Sequence, residues 1–249
     1  MKKKVLIIKI LVMSILLTQK VSSAYGFGIK KNPNHTQPEI GKYAPILANN
    51  NAYYVGDENS NKIYLTFDCG YENGYTDDIL EVLKAKNVVA TFFITGHYLE
   101  SATDLVKQMV NDGHVIGNHS NKHKDITKLN ANQIKEEVFS LRDRFKELIN
   151  EEMSTFYRPP AGSFDERSLK VIKDLGYNTL FWSLAYEDWN GKKINVTQEV
   201  TSHIHNGAII LMHAVSEENA KELGVVIDRL KDMGYEFSSP YELTKKRLT

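Results

Sequence analysis

The sequence predicts an α/β domain whose parallel sheet closes into a barrel, and three observations predict it. Beyond Lys62, strand-like and helix-like segments alternate with no repeat at a fixed period. The most apolar runs, Ile63 to Phe67 and Ala208 to Met212, are short and bounded, as buried strands are. Five clusters of chemically active side chains fall at predicted strand ends, and the carboxyl ends of a parallel barrel are where an active site lies.

Residues 1–24 read as an export signal. Lys2, Lys3 and Lys4 start it, an apolar stretch runs through Ile15, Leu16 and Leu17, and Ser22 and Ala24 put small residues at −3 and −1 of a cleavage after Ala24. Lys9 interrupts the apolar run and leaves it short for a bilayer span; left uncleaved, the segment would be a membrane anchor. Removing the five lysines before residue 25 from 31 basic residues leaves 26 against 31 acidic ones, about five net negative charges. No basic stripe remains, which argues against a nucleic-acid binder. Cys69 is the single cysteine, so no internal disulfide framework exists and the core must supply stability.

Residues 25–62 are rich in Asn, Gly, Lys and Pro, and Pro33, Pro38 and Pro45 are expected to break any helix, giving an irregular arm. The domain proper is expected at 63–249. Its first strand, Ile63 to Phe67, delivers Asp68 into a cleft. Thr76 is placed to cap a helix carrying Ile79, Leu80, Val82 and Leu83; Val88 to Ile94 follows as a strand. Leu105 to Val110 marks a helix stopped by Gly113, and His114 to Gly117 a short strand. Asn130 with Gln133 resembles a capping box for a long helix through Leu148. Thr155 to Arg158 then reads as strand, Asp165 to Leu175 as helix and Tyr177 to Ser183 as strand. A helix near Val196 to Ile204, the strand Ala208 to Met212, a helix from Glu217 to Met233 and a strand around Tyr235 to Phe237 complete the series.

The clusters at the strand ends are Asp68-Cys69, His119 to His123, Arg158 to Gly162, Asp188-Trp189 and Leu211-Met212-His213. Alone, each has a plain structural reading: Asp68 as a turn cap, His119 and His123 as surface histidines, Arg158 as an ion-pair partner, His213 as a satisfied core histidine. Together they suggest chemistry. The i, i+4 spacing of His119 and His123 would, on a helical turn, bring both imidazoles to one zinc-like ion. No Glu follows His119, so a water-activating base must come from elsewhere, and Asp68 is the candidate. Arg158 would hold and ionise Asp68, and His213, with Asp188 available, would be a general acid. His35, His97, His114, His203 and His205 have no comparable setting and are read as structural or solvated.

In order and residue type these clusters resemble the five motifs of the polysaccharide deacetylases, the NodB-homology carbohydrate esterases, over about Ile63 to Phe237. Gly70 to Thr76 and Arg158-Pro159-Pro160-Ala161-Gly162 further resemble the branch that de-N-acetylates muramic acid on the way to the δ-lactam of spore cortex. The resemblance implies a distorted (β/α) barrel and a divalent metal, zinc foremost, on His119 and His123. It implies Asp68 as base, Arg158 as its tether, His213 as acid and Asp188 as the partner of the acid. Trp189 and Leu211 would form an apolar pocket for the acetyl methyl, and the backbone N–H of Ala161 would be an oxyanion donor. The implied partners are peptidoglycan glycan strands and an upstream N-acetylmuramoyl-L-alanine amidase, and the implied place of action is the cell wall or the intermembrane space of a forming spore.

Cys69 departs from the family, in which many members have an aspartate ligand there. Two readings stand: a thiolate replacing the carboxylate on the metal, or a small buried residue with the metal held by two histidines and water. Two rivals to the muramic-acid activity also stand. One is a deacetylase of another glycan, peptidoglycan N-acetylglucosamine or a chitin-like polymer; the other is a non-catalytic wall-binding module.

Overall fold

Short strands that cannot stand alone are gathered here into one curled parallel sheet. The computed structural model describes residues 24–245, so the expected export signal lies, apart from Ala24, outside the described residues. The chain begins with β1 (Tyr25–Gly26), α1 (Tyr43–Asn49), β2 (Ala52–Tyr53) and β3 (Lys62–Cys69). Next come α2 (Thr76–Ala85), β4 (Thr91–Ile94), α3 (Gly96–Ser101), α4 (Thr103–Asn111), β5 (Val115–Asn118) and α5 (Ala131–Ile149). Then follow β6 (Phe156–Tyr157), a 3₁₀ turn (Pro160–Gly162), β7 (Ser163–Phe164), α6 (Glu166–Asp174), β8 (Asn178–Leu180) and β9 (Leu184–Ala185). The chain closes with α7 (Val196–Thr201), β10 (Ile209–His213), α8 (Glu217–Asp232), β11 (Glu236–Phe237) and α9 (Tyr241–Lys245).

The sheet runs β2-β8-β6-β5-β4-β3-β10-β9 with β11 beside the start of β3, and every pairing in it is parallel. β8 lies near one end of that order and β9 at the other, yet only Phe181, Trp182 and Ser183 join them. Four Cα steps reach at most about 14 Å, so the sheet must curl until its ends nearly meet. Hydrogen bonds span the gap: the Phe181 N–H donates to Tyr53 O at 2.8 Å and the Ser183 N–H to Ile209 O at 2.9 Å. This is the expected distorted barrel.

Alternation along β3 fixes what faces where. Ile63, Leu65, Phe67 and Cys69 belong to the large core between sheet and helices, whereas Tyr64 joins Phe93, Phe156, Leu180 and Ile209 inside the barrel. Thr66 and Asp68 follow Tyr64 inward. In β10, Ile210 and Met212 likewise face the helices, which leaves Leu211 and His213 on the cleft side.

The arm is not irregular throughout. α1 contains Pro45 in its first turn, where backbone N–H groups have no intrahelical acceptor and a proline costs little. β2 adds an edge strand to the barrel, and Phe27, Leu47 and Phe164 share an apolar cluster with Phe181. Thr76 is the first residue of α2 rather than its cap; the Glu72 carboxylate accepts from the Gly74 N–H at 2.6 Å and the Thr76 N–H at 3.5 Å. The expected strand from Tyr177 to Ser183 stops at Leu180, because the chain must leave one sheet end for the other. The Asn130–Gln133 capping box of α5 forms as expected.

Candidate active site

Asp68 and His213 stand side by side in register on β3 and β10, and the ends of β4, β5 and β6 align with them. The strand ends therefore deliver Asp68, His119, Arg158 and His213 to one level of the barrel. They open into a cleft of about 1190 Å³, too large for an ordinary small-molecule pocket and suited to a polymer.

Arg158 is fully buried and all its nitrogens donate. Nη1 reaches Asp68 Oδ1 and Thr66 Oγ1, both at 2.8 Å; Nε reaches Leu180 O at 3.0 Å and Nη2 Phe181 O at 3.1 Å. Its guanidinium lies 4.2 Å from the centre of the Phe93 ring. Gly117 leaves room for that ring, since a Cβ there would sit 2.5 Å from it. Burial alone would push the Asp68 carboxyl up, but Arg158, with help from His119 and His213, outweighs it and holds the group below the ordinary carboxylate range. Asp68 is thus a buried, ionised acceptor with one oxygen tied down.

The His119–His123 segment is not a helical turn. It is a loop with Ser120 and His123 in the left-handed region, at φ 64° and 52°, and this backbone still brings the rings to 4.9 Å between centroids. His119 Nδ1 is 2.8 Å from Arg158 O, which leaves Nε2 directed at Asp68 Oδ2, 3.6 Å away. Burial pushes the His119 imidazole down to about 4, and partial desolvation in the cleft lowers the more exposed His123 as well. The loop is pinned by Glu137 of α5, whose carboxylate accepts from the Lys122 N–H at 2.6 Å and lies 3.4 Å from Lys124 Nζ. Glu137→Ala is expected to destabilise the protein by about 1–3 kcal/mol, measured by denaturant unfolding, because it leaves the Lys122 N–H without its acceptor.

His213 Nδ1 lies 2.6 Å from Asp188 Oδ1, and the His213 N–H donates to Asp188 Oδ2 at 2.7 Å. Asn219 Nδ2 also donates to Asp188 Oδ2, at 2.6 Å, and Tyr186 Oη donates to Asn219 Oδ1 at 2.8 Å. Burial pushes the His213 imidazole down, but the Asp188 carboxylate outweighs it and the net shift is upward. As the general acid expected from the sequence, His213 would have to hold its proton, and turnover is then expected to fall as pH rises through that raised value. The pair's contribution to stability follows the same sign: it is full below the ordinary histidine value and lost above the raised one. Asp188→Asn is expected to move the alkaline limb of the pH–rate profile down by about 1–3 units.

Leu211 and Trp189 line the cleft, with the half-exposed indole 5.0 Å from the His213 ring, and Ala161 lines it in the left-handed region at φ 53°. Cys69 does not join the site. It faces the helix layer beside Ile79 and Tyr98, and burial, reinforced by Asp68, pushes its thiol well up, so a thiolate ligand is not what this position provides. The period-two rule along β3 would have separated it from Asp68. Thr66, two residues before Asp68 and so on its face, and Asn219 were missed, as was Trp182 in the cleft wall. Of the histidines set aside, His97 lines the cleft, and the other four stand away from it.

Comparison with known proteins decides the family. The family model for polysaccharide deacetylases matches residues 56–180. An uncharacterised 30.6 kDa protein of Geobacillus stearothermophilus is 46% identical over 89% of this chain and 86% of its own length. The chain belongs to the polysaccharide deacetylase family. Within it, the peptidoglycan-N-acetylmuramic acid deacetylase PdaA of Bacillus subtilis is 42% identical over 86% of this chain and 83% of its own. The solved structure of that protein, a family 4 carbohydrate esterase, superposes with a TM-score of 0.85 at 40% identity, covering 90% of this chain and 98% of the other. A peptidoglycan-N-acetylglucosamine deacetylase of Bacillus cereus is 31% identical over 78% of this chain and 73% of its own. The family and the barrel expected from the sequence are both met.

Proposed function

We propose that this chain is a peptidoglycan N-acetylmuramic acid de-N-acetylase, releasing acetate and a free amine. The observation that carries the reading is the pairing of an ionised carboxylate, Asp68 held by Arg158, with a raised-pKa imidazole, His213 held by Asp188, at one level of a cleft wide enough for a glycan. An acid and a base whose environments push their titrations apart are what amide hydrolysis requires. The muramic-acid substrate is supported by the likeness to PdaA.

Among the described residues, no group of three His, Cys, Asp or Glu side chains is placed to hold a metal ion. The donor chemistry nonetheless fits zinc on two ligands: His119 and His123 are neutral imidazoles, and their rings adjoin. Those two would hold the ion, with its other positions left to water and substrate. When bound, zinc would polarise the acetamide carbonyl and acidify a water.

Asp68 takes the proton of the attacking water through Oδ2, since Oδ1 is occupied by Arg158. Ala161 lines the cleft, and its backbone N–H would be the donor to the oxygen that becomes negative. His213 has Nδ1 committed to Asp188 and so delivers its proton from Nε2 to the departing nitrogen. Leu211 and the Trp189 ring enclose the methyl and exclude water. The freed amine of muramic acid can then attack its own lactyl carboxyl, a closure favoured by high effective molarity. That ring requires the stem peptide to be gone, so an amidase acts first. Action at the cell wall or between the membranes of a forming spore follows from the substrate and the expected export signal. No helix among the described residues is long and apolar enough to cross a membrane.

Acetate release from intact peptidoglycan and from peptidoglycan stripped of stem peptides by an amidase, each with and without chelator, tests the reading. Chelator-sensitive release from the stripped glycan alone, with lactam in the products, is expected. Release from intact glycan or chitin oligomers would keep the deacetylase and overturn the muramic-acid substrate. No release from any glycan with zinc supplied would favour a wall-binding module.

A further inference from the structure

The segment from Tyr25 to Lys31 precedes the matched family region, yet Phe27, Gly28, Ile29 and Lys31 form part of the cleft wall. β1 pairs antiparallel with β7, Tyr25 opposite Phe164 and Gly26 opposite Ser163, and the Phe27 N–H donates to Gly162 O at 2.9 Å. These bonds land on the residues that immediately follow Ala161. The buried Phe27 ring stacks on Phe181 at 4.4 Å and meets the Trp182 ring edge-on at 5.5 Å. It therefore touches the bridge that closes the barrel, and Phe181 O is one of the acceptors holding Arg158. No slack remains on this side. Gly162 has φ 62°, and a Cβ there would fall 2.7 Å from the Trp182 ring and 3.3 Å from Phe27 Cβ. Farther along, Lys31 pairs with Glu199 of α7, and Gln37 Nε2 donates to Gly56 O at 3.1 Å and Asn206 O at 3.0 Å, fastening the arm to the barrel.

We propose that Phe27 is a positioning residue for deacetylation, the amino-terminal strand acting as a brace that holds the Pro160–Gly162 turn and completes the cleft wall. The inference rests on the reading of the Ala161 N–H as oxyanion donor. An alanine in the left-handed region is strained and keeps that conformation only while its surroundings enforce it. A donor must also meet the oxyanion within a narrow distance, and a shift of about 1 Å is enough to lose much of its effect. β1 holds the turn through its pairing with β7 and the Phe27 N–H bond to Gly162 O, and the Phe27 ring anchors that strand against Phe181 and Trp182. The Phe27 ring is buried against Phe181 and Trp182 and offers the glycan little surface of its own, so its loss changes the set of the turn and should appear in kcat.

The test uses the mature chain with Phe27→Ala and Phe27→Leu, reading kcat and KM for acetate release and amide hydrogen exchange at residues 161–163 against β3 and β10. Expected for Phe27→Ala are a kcat lower by about ten- to a hundredfold with KM little changed, faster exchange at the turn, and unaltered exchange in β3 and β10. Phe27→Leu, which keeps most of the apolar volume, should recover most of the kcat. An active wild type with Phe27→Ala equal to it in kcat and in exchange at the turn overturns the brace alone. Faster exchange in β3 and β10 together with the turn, for both variants, also overturns it, because that is general loosening. A wild type inactive on every glycan sinks the deacetylase reading and the kinetic role of Phe27 with it. The exchange pattern would still decide whether the strand holds the turn.

Discussion

Arg158→Met is expected to lower the free energy of unfolding by about 3–5 kcal/mol and to remove most activity. The side chain is fully buried, so its loss leaves the Asp68 carboxylate desolvated without its cation and leaves the carbonyls of Leu180 and Phe181 without their donors. Methionine fills much of the volume but offers no hydrogen, and so isolates the electrostatic loss from a cavity. The Asp68 carboxyl, now governed by burial, should rise above its ordinary range, and the acid limb of the pH–rate profile should move up with it. Sign matters here. A depressed folded-state pKa contributes stability above the unfolded value that is lost as pH falls through the folded one, so the variant's deficit should shrink in acid. Denaturant unfolding at neutral pH and in acid checks both statements; a variant as stable as the parent at neutral pH would show that the pair is not what holds this side of the barrel. Arg158→Lys should not rescue it, since one ammonium cannot reach four acceptors spread over β3, β8 and the closing bridge.

The same arginine shows what the sequence made legible and what it did not. Its role as tether of Asp68 could be read from residue types in order, because a buried carboxylate needs a cation and Arg158, followed by two prolines, ends a predicted strand. Its second task, plugging the seam between β8 and β9, could not be read, because that seam exists only once the sheet has curled. β3 and β10 were legible from their apolar runs and β11 from its place after α8, whereas β1, β2 and β9 are two-residue strands fixed by their neighbours and carry no periodic signal. Pro45 misled because proline at a helix start and proline as a breaker look alike until the helix is seen. The spacing of His119 and His123 predicted two adjoining rings by way of a helical turn, and the left-handed Ser120 and His123 bring the rings together instead. Cys69 was the opposite case. Its neighbour Asp68 drew it into a proposed ligand set, although adjacent strand residues face opposite sides.

Asp68→Asn is expected to lower kcat by about 10²–10⁴-fold with KM little changed. The amide has the carboxylate's shape, and its oxygen can still accept from Arg158 Nη1, so the turn, the bridge and the cleft wall keep their positions. What it lacks is basicity at the atom corresponding to Oδ2, the only Asp68 oxygen not bound to Arg158 and the one nearest His119. Some stability is lost as well, because Arg158 then carries a buried charge without its counter-ion. For that reason Asp68→Asn and Arg158→Met together should cost less stability than the sum of the two alone, the second change removing the charge that the first left unpaired. The kinetic result separates catalysis from binding in this cleft. If Asp68→Asn binds glycan as the parent does and releases no acetate, the cleft is a reaction site whose base is Asp68. If it retains more than about a tenth of the parent kcat, the proton is taken elsewhere, and His123, the exposed member of the histidine pair, becomes the next group to replace.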